Sequence, residues 1–167
     1  MYCTIIAAVS LDGFIADANG VSIKTSPEDT EILKQLLASH EVHVMGRKTF
    51  EAHVSKKASS KKRIVLTSSP ETLIKKYGPI ATFTSEPIEH ILATQQTPAL
   101  VLGGSEVYTQ ALQTNYVDKV VLVIEPIIVK KGTPFLHYGS LEALGYKLYK
   151  NDVVNTSGTI IARYTKN

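Results

Sequence analysis

Apolar and polar positions along this chain alternate between two spacings, and most of the switches fall at glycine or proline. Tyr2 to Val9 is apolar and β-branched on both faces, as in a strand covered from both sides of a parallel sheet, and is expected to be a central strand. Turn residues follow at Asp12-Gly13 and Asn19-Gly20, so Ser10 to Gly20 is expected to be a long, irregular loop. Ser26-Pro27-Glu28-Asp29 reads as a helix start, with Ser26 as N-cap, Pro27 at the first helical position and Asp29 three residues after the cap. Ile32, Leu33, Leu36 and Leu37 continue that helix at its own spacing.

A short strand, Val42 to Met45, then runs into Gly46, and Arg47 to His53 is expected to begin another helix. The unit recurs. Strands are expected at Arg63 to Thr67, Ile80 to Thr84 and Ala99 to Leu102, and helices at Pro70 to Lys76, Pro87 to Gln95 and Ser105 to Leu112. Such alternation implies an α/β fold in three layers, a mostly parallel central sheet with helices on both faces. The end of the chain differs. Val117 to Val129 is a long apolar run, and Tyr146 to Val154 and Thr159 to Thr165 flank a turn at Asn155 to Gly158, which predicts a C-terminal antiparallel hairpin.

Composition narrows the class without naming a chemistry. The 167 residues are 44% hydrophobic and 20% charged, as in a globular protein, and their number makes one domain over residues 1–167 the expectation. The formal charge of +3 is concentrated at Lys56-Lys57 and Lys61-Lys62-Arg63. No aromatic-rich or zinc motif accompanies these clusters, so an anionic small molecule suits them better than nucleic acid. Cys3 is the one cysteine, which excludes an internal disulfide and is expected to serve packing. The apolar run Ile5 to Val9 is too short to span a bilayer and lacks a basic lead, so no membrane partner is expected and the cytoplasm is the expected compartment. His40, His43, His53, His90 and His137 show no metal-ligand spacing, and no metal is expected.

Candidate chemistry gathers at two glycine turns, Gly46-Arg47-Lys48-Thr49 and Gly103-Gly104, each between an expected strand and an expected helix. Open α/β sheets bind ligands beyond the carboxyl ends of their strands, and glycine lets an anion approach the backbone closely. Glycine in such a place also serves close packing alone, so it is the pair of turns that carries weight. Neither turn matches the G-x-G-x-x-G or G-x-x-x-x-G-K-[ST] pattern, which disfavours the Rossmann and P-loop modes.

Met45-Gly46-Arg47-Lys48-Thr49-Phe50 and Leu102-Gly103-Gly104-Ser105-Glu106-Val107-Tyr108 resemble the paired cofactor turns of dihydrofolate reductase. Ala8 to Ala16, Val117-Asp118 and Gly132-Thr133-Pro134-Phe135 are more similar to the reductase domain of the bifunctional deaminase-reductase of riboflavin synthesis, which shares that fold. The resemblance implies an NADPH-dependent reductase of a small heterocyclic molecule, pyrimidine or pterin-like, standing without its deaminase. It implies cofactor contacts at Gly46, Arg47, Lys48, Thr49, Thr67, Ser68, Ser69, Gly103, Gly104, Ser105, Glu106 and Val107. Arg47 beside a 2′-phosphate would favour NADPH over NADH. Tyr108 either points to the nicotinamide or packs in the core with its hydroxyl satisfied.

The resemblance breaks where substrate is handled. The carboxylate that serves dihydrofolate reductases falls on Thr30 and its threonine partner on Val123, while an acid and an arginine of the riboflavin-pathway pattern fall on Leu102 and Leu37. The expected proton donor is Asp29, Asp12 or water, although Asp12 is already explained by turn chemistry and Asp29 by its place at a helix start. Reduction of 5-amino-6-(5-phosphoribosylamino)uracil, reduction of dihydrofolate, and silent NADP binding all remain open. Homodimerisation is expected if the apolar run Val120 to Val129 forms an exposed edge, and an inner strand would explain that run equally well.

Overall fold

A computed structural model describes residues 2–54 and 59–166, so the Lys56-Lys57 cluster lies outside the described residues. An eight-stranded sheet forms the middle layer, and its strands follow the expected alternation. They are β1 (Cys3–Ser10), β3 (Val42–Gly46), β4 (Lys62–Leu66), β5 (Thr82–Thr84), β6 (Ala99–Val101), β7 (Lys119–Glu125), β9 (Tyr146–Val153) and β10 (Ile160–Lys166). They lie in the order β5-β4-β3-β6-β1-β7-β10-β9. Neighbours from β5 to β7 pair in parallel, and β10 pairs antiparallel with both β7 and β9 as the expected terminal hairpin.

Strand alternation divides the core. Ile5, Ala7, Val44, Val101, Val120 and Leu122 face helices α4 (Ile88–Ala93) and α5 (Ser105–Gln113), which bury Ile91, Leu92, Ala111 and Leu112 against them. Ile6, Leu100, Val121 and Val123 face the other way, toward Ile32, Leu33, Leu36 and Leu37 of α1 (Pro27–Ser39). Phe50 and Leu73 of α3 (Pro70–Tyr77) pack with Met45, Val65 and Phe83 farther along the sheet. Phe50 lies edge-on to Tyr77 and Phe83 at ring distances of 5.2 and 5.3 Å. A fully buried phenylalanine of this kind contributes about 3–5 kcal/mol.

The start of α1 is built as its sequence predicts. Pro27 is the first helical residue and the Ser26 hydroxyl accepts the Asp29 amide at 3.4 Å. The far end is fixed differently, because His40 stops the helix with its ring 2.8 Å from the Leu36 carbonyl and 3.1 Å from the Thr4 hydroxyl on β1.

Three expectations are corrected, and of the two readings open for the apolar run the inner strand is the one found. The Ser10–Gly20 segment is not wholly irregular, because β2 (Phe14–Asp17) pairs antiparallel with β8 (Gly132–Pro134), a partner more than a hundred residues away that local pattern does not disclose. Helical residues 47–53 prove to be a three-residue α2 (Arg47–Thr49) continued by a π-helical turn, Phe50–Val54, which turns Phe50 into the core. The strand expected from Ile80 begins at Thr82, after a 3-10 turn over Gly78–Ile80. The apolar run from Val117 is an inner strand only to Glu125, with Val120 to Val123 buried between β1 and β10, so it offers no edge for pairing. Among the described residues no helix is long and apolar enough to cross a membrane.

Candidate functional site

Adjacent strands β3 and β6 send their chains to opposite faces of the sheet, one through α2 to β4 and the other through α5 to β7. A crevice opens at the carboxyl ends of such a pair. The two glycine turns meet there, with the Gly46 amide donating to the Gly103 carbonyl at 2.6 Å. Val107 of α5 closes against Gly46, where a Cβ would come within 3.2 Å of its methyl group. Gly103, at φ +97° and joined to Gly104 by a cis peptide, lies so near Tyr108 that a Cβ would stand 2.7 Å from the ring. Gly104 is open, since a Cβ there would meet only the Thr49 hydroxyl, at 3.8 Å.

Thr49 and Gly104 belong to the wall of a cavity of about 710 Å3 that runs between α1 and the π-helical turn across the sheet. Ile6, Ala8, Leu33, Leu37, Met45 and Leu102 supply its apolar surface. Such walls suit the flat face of a heterocycle. Asp29 enters the cavity from the first turn of α1 at 8% exposure. Burial pushes its carboxyl above the ordinary carboxylate range; the Thr25 side chain opposes that shift and the Glu125 charge adds to it. His43 and Arg63 are cross-strand neighbours on β3 and β4 that line the cavity together. Burial lowers the pKa of both. His53 joins them, and its ring lies 3.2 Å from the Ser22 hydroxyl across the cavity wall.

The remaining candidates separate by contact. Arg47 and Lys48 are exposed beside the Gly46 turn, and Arg47 donates to Glu51 at 2.8 Å. Thr67, Ser68 and Ser69 follow β4 next to that turn, since Gly46 pairs with Leu66 in the sheet. Ser105 is buried and its hydroxyl donates to the Phe135 carbonyl, Val107 is buried, and exposed Glu106 accepts from Gln110. Two of these side chains are thus packed inside the protein and the third is turned to its own helix surface.

The hydrogen bonds of two catalytic candidates, Asp12 and Tyr108, engage them within the fold. Asp12 accepts the Ser10 hydroxyl at 2.7 Å and the amides of Val129 and Lys130 at 3.1 and 2.8 Å, which hold its carboxyl down at about 2. It is an ionised clamp on the loop after β7, outside the cavity wall, and has no proton to give at neutral pH. Tyr108 reaches the cavity but donates its hydroxyl proton to the Ile6 carbonyl at 2.7 Å, and burial raises its pKa strongly. The packing alternative describes it. Cys3 is also buried, with its thiol pushed up to about 12.

His43, Arg63 and Glu125 were missed as site residues by sequence reasoning. Glu125 had a signal, being an acid inside the apolar run Val120 to Val129. It is 4% exposed, accepts the Ser26 amide at 2.7 Å and accepts the Thr159 hydroxyl at 2.8 Å.

This combination of sheet order, paired glycine turns and terminal hairpin defines the dihydrofolate reductase-like class of α/β folds. A family model for the RibD C-terminal domain matches residues 1–160, and the chain belongs to that family. No curated protein is significantly similar in sequence. Among solved structures, a putative riboflavin biosynthesis protein from Shewanella sp. PV-4 has a TM-score of 0.79 at 23% identity, over 100% of this chain and 99% of that one. The diaminohydroxyphosphoribosylaminopyrimidine deaminase/5-amino-6-(5-phosphoribosylamino)uracil reductase of Thermotoga maritima gives 0.77 at 16%, with 99% of this chain spanning 56% of that one. Dihydrofolate reductase of Enterococcus faecalis, complexed with NADP(H) and RAB-propyl, gives 0.74 at 20%, over 99% and 96% of the two chains. These likenesses establish the fold.

Proposed function

We propose that this protein is an NADPH-dependent reductase of a pyrimidine or pterin-like heterocycle, with 5-amino-6-(5-phosphoribosylamino)uracil as the first substrate to test. The observation that carries the reading is that Asp29, Thr49 and Gly104 line one cavity, a buried acid sharing it with a glycine turn.

That turn fits a dinucleotide. Gly104 leaves open the space that a side chain would fill, the Thr49 hydroxyl stands beside that space, and no side chain caps the start of the nine-residue helix α5. Its free amides and dipole favour a pyrophosphate. Gly46, Gly103, Gly104 and the α5 backbone would hold that group, with Arg47, Lys48 and Thr67 to Ser69 beside the adenosine phosphate. Bound there, NADPH supplies a hydride to an electron-poor C=N or C=O carbon.

The chain's own part is to orient the acceptor and provide a proton. Ile6, Leu33, Leu37 and Met45 exclude water from the ring face, which strengthens polar contacts inside. Asp29, buried and with its pKa held above the usual range, donates to the acceptor nitrogen or oxygen as the carbon takes the hydride. The resulting carboxylate recovers its proton from solvent. The same placement favours reduction over silent binding, because a scaffold would not need a buried acid in the cavity.

The test is absorbance loss of NADPH with the pyrimidine intermediate, dihydrofolate and a panel of pterins, beside separate titrations of NADPH and NADH. Binding of NADPH with turnover of one heterocycle supports the proposal. Absence of NADPH binding ends it, and binding without turnover across the panel leaves a silent binder.

A further inference from the structure

The cavity changes character as it runs down β3 and β4, away from the glycine turns. In the parallel register His43 stands beside Arg63 and Met45 beside Val65, and one step ahead of β4 the Lys61 ammonium bonds Glu41. Alternation along a strand puts residues two apart on one face, so Lys61 and Arg63 share the face that carries His43 and Met45. Met45 is apolar wall next to the Gly46 turn, His43 and Arg63 follow it at 5% and 8% exposure, and half-buried Lys61 ends the row.

Two elements measure the length of this passage. Gly46 to His43 is three positions of β3, about 10 Å at the rise of a strand. Asp29 to Leu37 is eight positions of α1, about 12 Å at the rise of a helix. Their far ends meet, because the His43 ring donates to the Leu37 carbonyl at 3.2 Å. One end of the cavity therefore holds Asp29 and the glycine turns, the other holds a basic row, and Leu33 and Met45 lie between.

Among the described residues that line the cavity Asp29 is the only acid, whereas Lys61 and Arg63 both bring a full positive charge. A guanidinium largely withdrawn from water is costly to hold, and an anion entering the same space lowers that cost. His43 adds shape instead of charge, since burial lowers its pKa and its N–H is committed to α1.

We propose that Arg63, assisted by Lys61, is an anion subsite for the molecule reduced at the Asp29 end, so that the acceptor is a heterocycle bearing a phosphate or carboxylate roughly 10 Å from its reacting atoms. The inference rests on the reading of this cavity as the acceptor's site. The planar guanidinium takes the anion through paired hydrogen bonds, and Lys61, tied to Glu41, contributes less. A bare pyrimidine or pterin fills only half of the passage.

The experiment has a binding arm and a kinetic arm. In the first, the Arg63 side-chain Nε–H resonance of the wild-type protein is followed by NMR during titration with ribose 5-phosphate, N-benzoylglutamate and, as the neutral control, ribose. At least one anion is expected to shift it saturably, with ribose weaker by about tenfold or more. The anion that does so distinguishes phosphate from carboxylate. No saturable shift with either anion, or an equal response to ribose, overturns the proposal.

In the second arm, the heterocycle that the enzyme reduces is compared with its analogue lacking the anionic group. Arg63→Gln should raise KM for the anionic form by about tenfold or more, keep kcat within about threefold, and leave the neutral form unchanged. Equal losses for both forms would show a merely structural role and overturn the proposal. If Arg63→Gln does not fold, the wild-type titration decides, together with a wild-type preference in kcat/KM of at least about tenfold for the anionic form. Failure of the reductase reading shows separately, as no turnover of any heterocycle, and the titration of Arg63 does not depend on it.

Discussion

The Gly46 amide and the Gly103 carbonyl meet at 2.6 Å, so the ends of β3 and β6 act as one binding edge although 57 positions separate them. Everything proposed for the cofactor depends on that edge, and Tyr108 lies directly beneath it.

Gly103→Ala is therefore expected to damage the edge from two directions. Its φ of +97° is unfavourable for alanine, and the new methyl would meet the Tyr108 ring at 2.7 Å. Stability should fall by about 1–3 kcal/mol, read by denaturant unfolding, and NADPH affinity should fall with it. Native stability with unchanged affinity would contradict the placement.

Tyr108→Phe separates packing from catalysis. Removing the hydroxyl leaves the buried Ile6 carbonyl without that donor, a loss of about 1–2 kcal/mol in thermal or chemical unfolding. Turnover should stay within about threefold of wild type, because that proton is already committed. A hundredfold fall would restore Tyr108 as a catalytic residue.

Asp29→Asn should lower turnover by about a hundredfold or more while leaving the NADPH dissociation constant within about twofold. The pH sign follows from its raised carboxyl: wild-type turnover falls as pH rises through the folded-state pKa, and the variant lacks that limb. Stability behaves in parallel, since the protonated form is the one that folding favours. That contribution is complete below the unfolded value of about 3.8 and is lost as pH rises through the folded value, so the variant should lose less stability on the alkaline side.

Asp12 runs the opposite way. Its folded carboxyl is held at about 2 against an ordinary 3.8, so its contribution is present above the ordinary value and disappears as pH falls toward 2. Asp12→Asn should flatten acid unfolding over that interval and increase amide exchange at Val129 and Lys130, with turnover at neutral pH retained.

For the cofactor's adenosine end, Arg47→Ala should weaken NADPH more than NADH, by about tenfold, in parallel titrations. The guanidinium must exchange its Glu51 partner for phosphate, so the effect should be larger at low salt. Equal losses for both cofactors would remove Arg47 from the 2′-phosphate.

What was legible in the sequence was whatever rests on local period and turn chemistry. Ser26 and Pro27 marked the start of α1, and the glycine at the end of each strand marked the crevice. The β2–β8 pair was hidden because Gly132 to Pro134 carries no strand pattern and finds its partner only in three dimensions. Asp29 was visible as a helix-start acid, but its burial depends on the sheet beneath it. Glu125 shows the same limit, since an acid in an apolar run announces that something satisfies it without saying what.

The two ends of α1 are tied to different strands, the first through Ser26 to Glu125 and the last through His40 to Thr4. A beam clamped at both supports does not swing, so this wall of the cavity should be the last to open in hydrogen exchange. Admission of a substrate then falls to the opposite bank, where the Ser22–His53 contact is exposed and costs little to break.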